Sequence, residues 1–210
     1  MPRYYPLFLS IVGRAAVVVG GGAVAARRVR LFLECGAHVR VISPSFSAEF
    51  DLLKGRPGLT FIQRPYRADD LQGAILALAS TDDAAVNQRV AEDARAGGVL
   101  VNVVDQPALC DFIVPSLVRR GDLTVAISTG GASPALAKRL REELEQTIGP
   151  EYEEFLEILK ETRRRVQEEE RDPERRRAIF ERLVASDLLE RLRRGDRAGA
   201  EAKIEALLGD

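Results

Sequence analysis

Five short apolar runs, rich in β-branched residues, punctuate the first half of the chain. They are AAVVVG (15–20), HVRVIS (38–43), LTFIQ (59–63), AILALAS (74–80) and VLVNVVD (99–105). Between them, 23–34, 46–54 and 83–96 carry apolar positions at helical spacing. Nearly continuous strands separated by helices predict a parallel sheet covered on both faces, a doubly wound α/β domain. Past Asp105 the pattern changes. DLTVAIS (122–128) reads as one more strand, and a glycine loop then leads to a helix from Ser133, a good N-cap followed by Pro134 in the first turn. Gly149-Pro150 stops that helix. This stretch is a connector with its own strand and helix, suited to a subunit contact in a dimer. From Glu151 onward the pattern is helical: Tyr152, Phe155, Leu156, Leu159 and Val166 recur on one face, as do Ile179, Phe180, Leu183 and Val184. Pro173 separates these helices, and Gly195 and Gly199 punctuate the C-terminal stretch. The expected organisation is an α/β domain over 1–112, a small α+β dimerisation segment over 113–149 and an all-α domain over 150–210.

Composition narrows the chemistry. The 210 residues are 46% hydrophobic, enough for a substantial core. No apolar run approaches the ~20 residues that span a bilayer, so no membrane association is expected. MPRYYPLFLSIVGR is too broken by Pro6, Ser10 and Gly13 for a signal peptide, and a cytoplasmic address is expected. Cys35 and Cys110 are the only cysteines, and there is no CxxC; neither a disulfide framework nor a structural zinc site is expected of this pattern. The single histidine, His38, sits in a strand as a packed or edge residue, which excludes chemistry needing several histidines. A net charge of −1 argues against general nucleic-acid binding. RRRVQEEERDPERRR mixes both signs and fits a solvated helix surface.

The glycine-rich stretch VVVGGGAVAARR follows a strand and opens a helix, the setting a dinucleotide loop requires. Gly20 allows the sharp turn. Gly22 lets the backbone approach a pyrophosphate that the helix N-terminus stabilises, and Ala25 keeps the helix close to the strand. The alternative is a glycine turn without a ligand. The carboxylate usual at the end of the second strand is missing: that place reads Ile42-Ser43-Pro44-Ser45. No arginine follows it to mark a 2′-phosphate, since Arg40 lies within the strand. The ribose would be held by Ser43 or Ser45 hydroxyls, and these residues do not separate NAD from NADP.

Three other places carry candidate chemistry. Asp105 ends the fifth strand at the ligand-binding edge of an α/β sheet, as a general base or as an ordinary turn residue. Thr81, Asp82 and Asp83 begin the next helix, where capping is their simplest role, on the same ligand side. STGGASP (128–134) offers backbone amides and hydroxyls ahead of a helix, for a carboxylate or phosphate, or is a flexible loop entering a capped helix.

Together, VVVGGGAVAARRVRLFLECGAHVRVISP, STDDAAVNQRV, NVVDQPALCDFIVPS and LTVAISTGGASPALAKRLREELE resemble the precorrin-2 dehydrogenase family. Its members make sirohydrochlorin for siroheme, alone or as the first part of a multifunctional siroheme synthase. The resemblance covers about the first 150 residues closely, in order and spacing, and the helical remainder fits in character. It implies a Rossmann-type fold, a homodimer and NAD as cofactor, held by the loop Gly20, Gly21, Gly22, Ala23 and Val24, with Ser43, Pro44 and Ser45 along the ribose and Thr81 and Asp82 nearby. It makes the missing acidic residue a feature of the family and gives the catalytic role to Asp105. Hydride would leave precorrin-2 for the nicotinamide with loss of a proton.

The substrate is a flat tetrapyrrole with many carboxylates. Ser128, Thr129, Gly130, Gly131, Ser133 and Lys138 are the candidate substrate residues. Arg119, Arg120, Arg139 and Arg141 stand around them as a positive edge or, equally well, as a solvated face. Some relatives also insert Fe²⁺ into the product; no metal-ligand cluster is visible here, and ferrochelatase activity stays open. A chain ending near Asp210 is expected to lack the methyltransferase module of fused relatives. Two rivals remain: an NAD-sensing regulatory domain without catalysis, and a dehydrogenase of a small metabolite. The sensor would keep the acidic residue after the second strand, and the metabolite enzyme would want His, Lys or Tyr beside the nicotinamide.

Overall fold

The computed structural model describes residues 4–209. The chain divides into two compact units, one running to Val114 and the other beginning at Pro115. The first is a five-stranded parallel sheet in the order β3-β2-β1-β4-β5, formed by β1 (Ala15–Val19), β2 (His38–Ile42), β3 (Leu59–Ile62), β4 (Ala74–Ala79) and β5 (Leu100–Val103). This is the Rossmann-type architecture that the apolar runs predict.

The centre of the sheet explains the run AAVVV. Successive strand residues point to opposite faces, and β1 is buried on both. Ala16 and Val18 join the core under α1 (Ala23–Glu34), with Ala25, Val29 and Phe32. Val17 and Val19 join the core under α2 (Ala84–Ala96), with Val90, Ala91 and Ala94. A central strand therefore has no polar face to alternate.

The stretch 46–54 forms a 3₁₀ helix (Ala48–Leu53) in place of the expected α-helix. Phe50 and Leu53 are its buried residues, and their spacing of three matches the 3₁₀ repeat. A second 3₁₀ turn (Ala68–Leu71) follows β3. There Asp70, almost fully buried, is gripped by both terminal nitrogens of Arg64 at 2.5 and 2.8 Å and accepts the Arg67 backbone N–H at 2.8 Å. These donors hold the Asp70 carboxyl below its ordinary range.

The second unit begins with a strand the sequence pattern did not reveal. β6 (Ser116–Arg120) pairs antiparallel with β7 (Leu123–Ile127), Arg120 opposite Leu123, around the two-residue turn Gly121-Asp122. Gly121 has φ +54°, as a Gly-first hairpin turn requires. α3 (Pro134–Thr147) packs on this ribbon. Four helices follow: α4 (Glu151–Glu169), α5 (Pro173–Ala185), α6 (Leu188–Arg193) and α7 (Arg197–Gly209). Phe155, Val166, Ile179, Leu183, Leu188, Leu192, Ala200 and Ile204 form their shared core. Pro173 opens α5 behind its Asp172 cap, and Gly195 (φ +75°) follows α6. No helix among the described residues is long and apolar enough to cross a membrane.

Candidate functional site

The three glycines between β1 and α1 do different work. Gly20, buried at φ +129°, donates its N–H to Ile42 O at 2.9 Å, and a Cβ there would strike the Ser80 carbonyl. Gly21 is wedged against the end of β2: its carbonyl accepts Ser47 N–H at 2.8 Å, and a Cβ would strike Ser45 O and Ser43 Oγ. Gly22 is exposed, has φ −86°, and a Cβ there would meet nothing within 4 Å. The first two glycines are demanded by the protein's own packing. Gly22 is not, and its bare face is turned to open space.

Gly22 is also the N-cap of α1, with no side-chain cap and no acidic residue in the first turn. The leading N–H groups of a helix have no partner within it, and here no side chain of the cap supplies one. The loop after β2 lines the same edge. Ser43 is buried and donates its N–H to Ile62 O at 3.2 Å, while Gln63 Nε2 donates to Pro44 O at 3.3 Å, leaving Pro44 and Ser45 exposed.

At the end of β4, Ser80 donates its N–H to Val19 O at 2.8 Å. Thr81 is held by buried Asn87: its N–H and Oγ1 lie 3.2 and 2.8 Å from Asn87 Oδ1, and Asn87 Nδ2 donates to Thr81 O at 2.9 Å. Asp83 caps α2, accepting from Ala85 and Val86 N–H. Asp82 is exposed and is not the cap.

After β5 the chain makes a tight turn in which Gln106 N–H donates to Val103 O at 3.2 Å. Its third residue, Asp105, has φ +59°, the only non-glycine residue with positive φ among the described residues. A type II turn asks for glycine or asparagine there, and a non-glycine residue in this region costs roughly 1–2 kcal/mol. The Asp105 side chain is exposed and makes no hydrogen bond or ion pair among the described residues. The fold thus carries a strained backbone and gains no contact from the side chain that bears it.

Asn102 and Cys110, which the sequence pattern did not mark, brace this turn. Asn102 is buried and donates Nδ2 to Phe112 O at 2.8 Å. Cys110 Sγ accepts Val103 N–H at 3.2 Å and lies 3.2 and 3.3 Å from the carbonyls of Val103 and Gln106. Burial pushes the Cys110 thiol above its ordinary pKa, and Asp111 adds to the rise.

In the second unit, STGGASP closes on itself. Thr129 Oγ1 donates to Ser133 O and accepts Ser133 N–H, both at 3.1 Å, Ser128 Oγ accepts Gly130 N–H, and Ser133 Oγ caps α3 at Leu136 N–H. Gly130 and Gly131 both have positive φ and open surroundings. The positive edge is partly spent. Lys138–Glu142, Arg139–Glu143 and Arg141–Glu145 are i,i+4 pairs at 3.8, 2.7 and 2.7 Å, and Arg120 donates to the carbonyls of Arg119 and Glu145. The Lys138 and Arg139 pairs are exposed, and pairs of that kind are worth about 0.3–0.5 kcal/mol each, while Arg141 and Glu145 are half-buried.

Known proteins resemble the chain along its length. A family described as "Putative NAD(P)-binding" matches residues 7–116, "Sirohaem biosynthesis protein central" matches 120–147, and "Sirohaem synthase dimerisation region" matches 151–208. The siroheme synthase of Nitrosomonas eutropha is 40% identical over 206 residues, 97% of this chain and 43% of that protein. That of Pseudomonas aeruginosa (strain LESB58) is 41% identical over 202 residues, 96% and 43%. The chain thus spans less than half the length of these relatives. A solved structure of SirC, precorrin-2 dehydrogenase, superposes with a TM-score of 0.80 at 28% identity, covering 97% of this chain and 100% of that one.

Proposed function

The chain belongs to the family described as "Putative NAD(P)-binding", and we propose that it is an NAD-dependent dehydrogenase that converts precorrin-2 to sirohydrochlorin, a reading supported by the two sirohaem matches that follow. The observation that carries this reading is Asp105: a carboxylate kept exposed and unpartnered, on a strained backbone, at the carboxyl end of a parallel sheet. Strain of this kind clusters where function requires it.

The glycine loop fits a dinucleotide. Gly22 is bare where a pyrophosphate must approach, while Gly20 and Gly21 are packed against the protein itself, and this contrast supports the reading. The loop Gly20 to Val24 would hold the pyrophosphate at the N-terminus of α1 through the amides that follow Gly20, whose own N–H is given to Ile42 O. Ser43, Pro44 and Ser45 would lie along the ribose, and Thr81 and Asp82 would border the cofactor at the end of β4. Bound there, NAD⁺ supplies a hydride acceptor. Asp105 accepts the proton that the tetrapyrrole loses, so that hydride and proton leave the substrate and its oxidation balances. A carboxylate suffices as this base, and the solvent at its side carries the proton away.

In the second unit, Ser128, Thr129, Gly130, Gly131, Ser133 and Lys138 are the residues we assign to the substrate's carboxylates. A homodimer is part of the proposal, supported by the match of 151–208 to a dimerisation region; the sedimentation mass tests it. So is a cytoplasmic location. A separate assay that supplies Fe²⁺ and sirohydrochlorin directly tests whether the chain also inserts the metal. The main test incubates the purified chain with NAD⁺ and precorrin-2, and the absorption spectrum of sirohydrochlorin should appear. Tight NAD⁺ binding with no spectral change would make the chain a nucleotide sensor.

A further inference from the structure

β5 lies at the edge of its sheet, so the outward peptide groups of Val101 and Val103 need partners. No strand provides them; the segment 110–111 does. Asp111 accepts Val101 N–H on its carboxylate at 3.1 Å and donates its own N–H to Val101 O at 2.8 Å. Cys110 takes Val103: Sγ accepts Val103 N–H and is within reach of Val103 O and Gln106 O. Those two carbonyls bracket the Asp105 turn. A thiol has one hydrogen to give, so it serves one of them at a time while its lone pairs receive the Val103 amide. Asn102 fixes the segment from the other side through Phe112 O, and its Nδ2 stands 3.5 Å from the same sulfur.

We propose that Cys110, seated by Asn102, is the positioning residue for the catalytic carboxylate: its thiol ties together the two ends of the turn that hold Asp105 in the left-handed conformation. The proposal rests on the role given above to Asp105. Chain geometry is what demands the clamp. A backbone held in a costly region returns to an ordinary one unless its flanks are fixed, and the bonds at the flanks of Asp105 meet at one sulfur. Cys110 itself never touches substrate in this account.

The test uses the full chain in three forms, Cys110→Ala, Cys110→Ser and Cys110→Ala combined with Asp105→Asn. Cys110→Ala should lower kcat roughly tenfold to a hundredfold, the scale of a displaced catalytic group, with KM for precorrin-2 and Kd for NAD⁺ unchanged. Cys110→Ser keeps a donor and an acceptor and should recover part of the loss. Hydrogen exchange gives a readout independent of turnover: the Val103 amide should lose protection in the alanine variant and regain some in the serine one. On the Asp105→Asn background, Cys110→Ala should cost nothing further in kcat. Full kcat in Cys110→Ala while Asp105→Asn is slowed by about 10²–10⁴-fold overturns the clamp alone. So does an unchanged Val103 amide, or a loss that multiplies on top of Asp105→Asn. Normal turnover by Asp105→Asn itself overturns the reading of Asp105, and the clamp with it.

Discussion

Asp105 offers a test in which stability and activity should move in opposite directions. Its φ of +59° sits at the third position of the 103–106 turn, and its carboxylate contacts nothing that the fold needs. Replacing it with glycine removes a strain of roughly 1–2 kcal/mol and adds back about 0.5–1 kcal/mol of unfolded-state freedom. The net expectation for Asp105→Gly is a gain of about 0–1.5 kcal/mol, or up to roughly 6 °C in the melting temperature of a unit this size. Asp105→Asn should stay within about 0.5 kcal/mol of the parent, because asparagine tolerates this region and no hydrogen bond is lost. Asp105→Ala should be the least stable of the three, since it keeps the Cβ without the polar side chain that eases left-handed backbone. All three should lose turnover by about 10²–10⁴-fold, the usual worth of a general base, while binding NAD⁺ as before. Thermal denaturation followed by circular dichroism, with NAD⁺ titration and kcat on the same samples, reads all of this. A glycine variant destabilised by more than about 1 kcal/mol would show instead that the carboxylate supports the fold.

The geometry sets four further outcomes. Gly22→Ala should fold normally, since its φ is ordinary and its Cβ has room, yet bind NAD⁺ at least about tenfold more weakly by calorimetry; unchanged affinity would remove the loop from the cofactor site. Gly20→Ala and Gly21→Ala should instead compromise folding itself, through collisions with the carbonyls of Ser80 and Ser45, and a normal melting curve would contradict that. Arg64→Leu should cost about 1–3 kcal/mol at neutral pH by stranding the buried Asp70 carboxylate. Asp70 titrates below its unfolded value, so the parent's advantage is full above the ordinary carboxylate range and fades as pH falls through the depressed one; urea unfolding at a series of pH values reads it. Cys110 titrates above its unfolded value, so within the ordinary thiol range its thiol should be alkylated more slowly in the native protein than in the unfolded chain, read by peptide mapping, and equal rates there would contradict the upward shift.

What the sequence carried best was whatever depends on periodicity. The five strands, the helix after the glycine loop and the Ser133 cap all arise from local pattern, and the structure has them. The stretch 46–54 went astray because apolar residues three apart suit an α-helix and a 3₁₀ turn alike. β6 was hidden by Arg119 and Arg120, which read as a basic cluster, although Gly121-Asp122 between two apolar runs is a hairpin signal. Spacing also cannot say which cations are free, and α3 spends three of them on glutamates one turn away. The division of labour among Gly20, Gly21 and Gly22 needs the neighbours from β2 and β4, and the strain at Asp105 is a backbone angle with no signature in composition. Asn102 and Cys110 look like ordinary strand and loop residues until the edge of β5 is seen to need them.

The most direct test of the account supplies the full chain and its Asp105→Asn variant with NAD⁺ and precorrin-2 and monitors NADH and sirohydrochlorin together. The parent should form both in equal amounts, and the variant should bind NAD⁺ equally well and form almost neither. Equal turnover by the two proteins, or NAD⁺ binding by the parent with neither product, would contradict it.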